Sequence, residues 1–264
     1  MRLSVVQLDA ALDGAERERG IETGVAEAAA AGSALVLFPE LACEGYGRAA
    51  DRLAKAASLS DLPDAVGQRL ADAHGIAVCL GLSLRLPDGT VGNAAVLFRP
   101  GHPPSPYLKR HLYGDYEKAI FAPGQERSAL FEWGGLTMGM LVCFDAEFPE
   151  RVRELALAGA DLVLVPTALP KLAGADFIAS TIIPARAFEN GIFVAYADHC
   201  GRDERFEYQG LSVVADPNGA KLASADETSP AHLVADLDPA RYAEVRKANP
   251  YLETLRRARA EEMR

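Results

Sequence analysis

The sequence predicts an α/β fold of layered, mixed sheets. Short apolar runs and amphipathic stretches interleave along the whole chain, as strands and their covering helices do. Two apolar runs, Ile192–Ala197 and Leu211–Ala215, follow one another with no helix between them, so antiparallel pairing interrupts the parallel pattern. Of the 264 residues, 49% are hydrophobic, enough for a sizeable core. No linker, low-complexity segment or internal repeat breaks the chain, so one domain over residues 1–264 is expected.

The elements follow in order. Leu3–Leu8 is a β-branched-rich strand, and Ala15–Ala31 is a helix closed by Gly32. Ala34–Phe38 (ALVLF) is a buried strand that Pro39-Glu40 stops. Leu62–His74 reads as a helix and Ile76–Leu82 as a strand; the turn Pro87-Asp88-Gly89 precedes the strand Asn93–Phe98. Tyr107–Lys109 ends another short strand, and Arg110–Gly124 reads as a loop. Leu136–Val142 is apolar and threaded with glycine, as a buried strand tends to be, and it ends at Cys143. Pro149-Glu150 opens a helix with its body over Arg151–Ala160, because Pro suits the first turn and Glu favours the positive end of the dipole. Asp161–Pro166 is a strand, and Gly174–Asn190 is a helix that Gly191 terminates. After the strands Ile192–Ala197 and Leu211–Ala215, the turn Asp216-Pro217-Asn218-Gly219 leads to another. His232–Leu237 is a late strand, and a charged helix runs around Glu253–Arg264.

Charge excludes some functions. A formal net charge of -10 argues against a general binder of nucleic acid or anionic membranes. Cys43, Cys79, Cys143 and Cys200 lie far apart with no CxxC pair, which suits neither a zinc site nor a disulfide framework. The N-terminus MRLSVVQLD reads straight into a strand, and no apolar run reaches membrane-spanning length. A soluble cytoplasmic protein with reduced thiols is expected. Neither GxGxxG nor GxxxxGK[ST] occurs, so nothing points to a dinucleotide or a nucleoside triphosphate.

Three residues carry candidate chemistry. Cys143 stands where a strand turns into a helix, the place where α/β proteins expose a nucleophile. Glu40 and Lys109 each end an apolar strand. Together they make a set for acyl transfer: a base, a cation for an oxyanion and a sulfur nucleophile. Taken singly, each has a plain reading as a buried thiol, a solvated carboxylate or a surface lysine. Spacing alone does not show that they converge.

The segments LVLFPE with Glu40, YLKRHLYG with Lys109 and LVCFDAEFPE with Cys143 resemble the three signature segments of the nitrilase-type carbon–nitrogen hydrolases, in the family's order. EKAIFAPG at Glu117–Gly124, ARAFENGIFVAYAD at Ala185–Asp198 and YQGLSVVADPNG at Tyr208–Gly219 are similar to supporting segments of the same family. The resemblance implies a four-layer α-β-β-α sandwich, no metal or organic cofactor, and a homodimer or higher homo-oligomer. It also implies roles. Cys143 is the nucleophile, Glu40 the general base, Lys109 and the backbone N–H of Phe144 the oxyanion donors, and Glu117 the residue that holds Lys109 and the substrate amide. Tyr46, Glu147, Thr167 and Ala168 fall in the implied substrate-binding set. An amide is a poor electrophile with a poor leaving group, so the enzyme must activate the thiol, hold the oxyanion and protonate the departing nitrogen.

Cys143-Phe144-Asp145 resembles the amidase branch (C-Y-D) more than the nitrile-hydrolysing branch (C-W-E). The runs HLYGDYEKAIFAPG and AYADHCGRDERFEYQG look closest to 5-aminopentanamidase-like and R-stereoselective amidases. PTALP at Pro166–Pro170 departs from the PTANM of these relatives, so the acyl pocket is expected to differ. In D-carbamoylase relatives arginines follow the nucleophile by three and four positions; here those positions are Ala146 and Glu147. An anion there disfavours carboxylate substrates and favours an ammonium. The expected function is a cysteine-dependent amidase for small, amino-bearing aliphatic amides. The alternatives are an N-carbamoyl amidohydrolase, a 2-oxo-acid ω-amidase, a nitrilase, an acyltransferase or an inactive binding protein on the same fold. Glu147 also has a simpler reading, as support for the N-terminus of the following helix.

Overall fold

The computed structural model describes residues 1–262, so the last two residues of the helix expected over Glu253–Arg264 lie outside the described residues. Two mixed sheets stack face to face. The first contains β1 (Arg2–Asp9), β2 (Leu35–Leu37), β3 (Ala57–Ser58), β4 (Ala77–Arg85), β5 (Val91–Arg99) and β6 (His102–Leu108). The second contains β7 (Phe131–Trp133), β8 (Leu136–Met140), β9 (Leu162–Pro166) and β10 (Phe193–Ala197). From the last third of the chain, β11 (His199–Cys200) and β14 (Ala231–Asp236) return to the first sheet, while β12 (Val213–Ala215) and β13 (Lys221–Ser224) extend the second. β1, β2 and β4 run parallel, as do β8, β9 and β10; the short β3 and β11 also pair parallel, with β4 and β1, while β5, β6, β7, β12, β13 and β14 pair antiparallel.

The period-two side-chain alternation of strands builds the layers. In the first sheet Leu3, Val5, Leu35, Leu37, Ala95 and Leu97 face inward and meet Met138, Met140, Leu162 and Leu164 of the second. The other parity, Val6, Leu8, Val36, Phe38, Val78 and Leu80, packs outward under α1 (Gly14–Ala30) and α2 (Val66–His74). Between the sheets lies α3 (Gly114–Ile120) in sequence; α4 (Pro149–Ala158) and α5 (Ile183–Asn190) bury Val152, Leu155, Ala156, Ile183 and Ala187 against the second sheet. The chain ends in α6 (Ala243–Ala248) and α7 (Tyr251–Glu262). This is the four-layer α-β-β-α order. Each core leucine contributes about 1.5–3 kcal/mol by leaving water.

Several expected boundaries shift for local reasons. Pro63 confines Leu62–Asp64 to a 3-10 turn, and α2 starts only at Val66. The helix over Gly174–Asn190 begins at Ala175 and contains a π-helical turn, Ile178–Ile182. The strand expected from Leu211 begins at Val213, because Leu211 has a left-handed backbone with φ +58°. The segment expected as the loop Arg110–Gly124 contains α3. The strand expected over Leu136–Val142 ends at Met140, and Cys143–Glu147 forms a 3-10 turn. Among the described residues, no helix is long and apolar enough to cross a membrane.

Candidate active site

Parallel strands place Glu40 after β2, Cys143 after β8 and Ala168 after β9, all at carboxyl ends, with Lys109 one residue past β6. Both β2 and β8 stop abruptly. Leu41, next to Glu40, has φ +50°, and Cys143 has φ +46°. Left-handed backbone at such residues costs about 1–3 kcal/mol and persists only where surroundings enforce it. At Glu40 the enforcement comes from β4. A Cβ on Gly81 would stand 2.4 Å from the Pro39 carbonyl oxygen and 2.6 Å from Glu40 Cα, so only glycine lets the two backbones approach.

Four predicted residues converge. Lys109 Nζ donates to Glu40 Oε1 and to Glu117 Oε1, each at 2.6 Å, and none of the three side chains is exposed. Glu40 also accepts from Asn93 Nδ2 at 2.6 Å and from the Ala168 N–H at 2.9 Å. Its carbonyl accepts from His199 Nε2 at 2.8 Å, and burial holds that imidazole neutral by pushing its pKa down to about 3. Glu117 accepts from the Tyr46 hydroxyl at 2.8 Å and from the Tyr113 N–H at 2.9 Å. The fourth, Cys143, feels the charges of Glu40, Lys109 and Glu117.

The electrostatics follow from burial. Desolvation lifts the Glu40 carboxyl to about 7; Lys109 opposes the rise and Glu117 adds to it. Burial works against the Lys109 charge, yet the two glutamates outweigh it and hold the ammonium above its ordinary range. Desolvation first, and Glu40 second, push the Cys143 thiol well above the usual thiol range, so it rests protonated. A neutral thiol beside a carboxylate poised near neutrality suits proton transfer during attack.

Cys143 opens onto a cavity of about 160 Å³. Tyr113, Phe144, Leu169, Pro170, Leu172 and Ile178 supply mostly apolar wall, and among the described residues Glu147 is its one carboxylate. Burial raises the Glu147 pKa, and Lys109 and Arg186 lower it. Arg186 spends its guanidinium on the backbone, donating to the Ala146 carbonyl at 3.1 Å and the Glu147 carbonyl at 2.6 Å, and pairs with Glu189 at 3.1 Å. Glu147 precedes α4, whose first turn holds Glu150.

The rest of the expected substrate-binding set contacts the charged cluster or its backbone. The Thr167 hydroxyl donates to its own strand's Val165 carbonyl at 3.2 Å, and the Thr167 carbonyl accepts from the Glu40 N–H at 3.1 Å. Ala168 meets Glu40, and Tyr46 meets Glu117. These three support the charged cluster and do not line the cavity. Two residues escaped the sequence reading. Asn93 left one signal, a buried amide inside the apolar strand β5. Asp145 is fully buried and reaches Tyr107, 38 residues away, which no local pattern reveals. Among the described residues, no group of three or more His, Cys, Asp or Glu side chains is placed to hold a metal ion.

A profile of the family described as "Carbon-nitrogen hydrolase" matches residues 2–247. The "Hydrolase in pqqF 5'region" of Pseudomonas protegens is 40% identical over 228 residues, 84% of this chain and 78% of that protein. An (R)-stereoselective amidase of Pseudomonas sp. is 33% identical over 264 residues, 97% of this chain and 92% of that protein. The amidase from Nesterenkonia sp. AN1, solved after Michael addition of acrylamide at its active site cysteine, superposes with a TM-score of 0.83. That structure is 34% identical and covers 100% of both chains.

Proposed function

The chain belongs to the carbon–nitrogen hydrolase family and is an amidase of the nitrilase superfamily; on that footing we propose that it hydrolyses small, amino-bearing aliphatic amides through a thioester on Cys143. As Cys143 Sγ attacks the amide carbon, Glu40 takes the thiol proton. The oxygen that gains charge is held by the Lys109 ammonium and the Phe144 N–H. Glu40 then gives its proton to the nitrogen, the C–N bond breaks and ammonia leaves. Glu40 next takes a proton from water, whose hydroxyl attacks the thioester, and the carboxylic acid departs with the thiol restored. Glu117 keeps Lys109 charged and in place at 2.6 Å, itself steadied by Tyr46.

One observation carries the substrate class: among the described residues, Glu147 is the only carboxylate on a small, otherwise mostly apolar cavity. A volume of about 160 Å³ is below the roughly 300–1,000 Å³ of drug-sized pockets. An aliphatic chain suits the walls, and an ammonium on its far end suits Glu147, whose partial burial strengthens the pairing. The test is kcat/KM for 5-aminopentanamide, glutaramate and an uncharged amide of equal length. Wild type should prefer 5-aminopentanamide several-fold, and Glu147→Gln should lose that preference. A wild-type preference for glutaramate, or unchanged selectivity in Glu147→Gln, rejects the charge recognition.

The same reading takes residues 1–264 as one hydrolase domain, assembled as a homodimer and working in the cytoplasm. The four free thiols support the compartment, and the family resemblance supports the assembly. Light scattering of the purified chain tests the dimer.

A further inference from the structure

We propose that Asp145 is a positioning residue: its carboxylate locks the nucleophile's turn to the strand end that carries Lys109, so that one side chain sets the spacing between the attacking sulfur and the oxyanion donors. The inference rests on the oxyanion roles assigned above to Lys109 and Phe144. Asp145 lies in the 3-10 turn Cys143–Glu147 and is not exposed. Oδ2 accepts from the Val142 N–H at 3.3 Å, immediately before the nucleophile, while the Asp145 N–H returns a bond to the Val142 carbonyl at 3.0 Å. This reciprocal closure helps hold Cys143 in its left-handed backbone, φ +46°.

The same carboxylate reaches across to the other sheet. Oδ2 accepts from the Tyr107 hydroxyl at 2.8 Å and from the Arg110 N–H at 3.4 Å. Oδ1 accepts from the His111 N–H at 2.9 Å and lies 2.7 Å from His111 Nδ1. Tyr107 precedes Lys109 by two positions, and Arg110 and His111 follow it directly, so Lys109 is gripped on both sides. Glu40 and Glu117 fix the far end of the lysine. His111 stacks on Phe148 with ring centroids 4.3 Å apart, and Phe148 meets Phe144 at 4.9 Å, which ties the residue giving the oxyanion N–H to the same unit.

The geometry demands an acceptor. Three backbone N–H groups and a phenol converge on two oxygens. Asparagine keeps the shape but points an NH2 at some of these donors, which the buried site does not tolerate without a shift. A misplacement near 1 Å costs about 100-fold in rate.

The test uses the full chain with a good amide substrate. Asp145→Asn should lower kcat by about 10–100-fold while KM stays within about threefold. Alkylation of Cys143 by iodoacetamide forms no oxyanion, so its rate should fall far less than kcat. Tyr107→Phe and His111→Ala, which each remove one lysine-side contact, should each lower kcat several-fold with KM unchanged. These variants decide the matter if Asp145→Asn does not fold. Adding Tyr107→Phe to Asp145→Asn should cost little more, because both act through one contact. Unchanged kcat in Tyr107→Phe and His111→Ala, or equal losses in alkylation and hydrolysis in Asp145→Asn, would overturn the positioning role. The underlying reading fails separately, by turnover that survives in Cys143→Ala.

Discussion

Glu40 Oε1 and Lys109 Nζ meet at 2.6 Å with neither side chain exposed to solvent. Glu117 sits equally close on the same nitrogen, so one cation serves two buried carboxylates. The site is therefore short of positive charge, and desolvation lifts Glu40 to about 7. That surplus makes Glu40 a base near neutral pH.

The pH dependence follows with a definite sign. Below about 7 Glu40 carries a proton and cannot accept another from Cys143, so kcat/KM on an uncharged amide should climb about tenfold per pH unit and level off above that value. Glu40→Gln should lose at least 100-fold in kcat, since proton transfer enters both half-reactions. A flat profile between pH 5 and 8, measured by ammonia release, would place the base elsewhere.

Glu117 acts through Lys109. Glu117→Gln removes the second anion beside the ammonium and should reduce kcat by about 100-fold or more, on the scale of a lost oxyanion donor. Tyr46→Phe deletes only the hydroxyl that Glu117 accepts at 2.8 Å. It should cost about 1 kcal/mol in stability and a several-fold loss in kcat. Thermal melts beside steady-state kinetics separate the two effects. Equal activity in Glu117→Gln and wild type would remove Glu117 from the machinery.

Gly81 controls where Glu40 stands. In Gly81→Ala the new methyl meets the backbone of Pro39, Glu40 and Leu41 at 2.4–2.6 Å, and backbone cannot turn aside as a flexible side chain does. The substitution should destabilise by about 1–3 kcal/mol and depress kcat beyond what lost folding explains. A melt and a kcat both unchanged would show that the two strands have slack.

How much of this was legible in the sequence depends on whether the cause was local. Glu40 and Cys143 stand out because each closes a short apolar run, and apolar runs between breakers mark buried strands. The layered sheets follow from the same alternation: Leu3 and Val5 face one core, Val6 and Leu8 the other. Only the end of β6 was readable. HPPSPYL carries three prolines, which cannot donate to a ladder, and the strand survives because β6 is the edge of its sheet. The left turn at Cys143 was hidden, since the carboxylate closing it also takes its partners from residues 107–111. Tyr46 and Thr167 were expected to bind substrate through the resemblance alone; the contact of the Tyr46 hydroxyl with Glu117, 71 residues away, is one that spacing does not encode.

The central claim is a thioester on Cys143. The direct measurement is intact-mass and peptide-mapping spectrometry of the enzyme quenched in acid during turnover of 5-aminopentanamide. An adduct of the acyl mass on the peptide containing Cys143, absent from Cys143→Ala together with all ammonia release, is the predicted result. An acyl group on Cys43, Cys79 or Cys200, or ammonia release that persists in Cys143→Ala, would contradict the account.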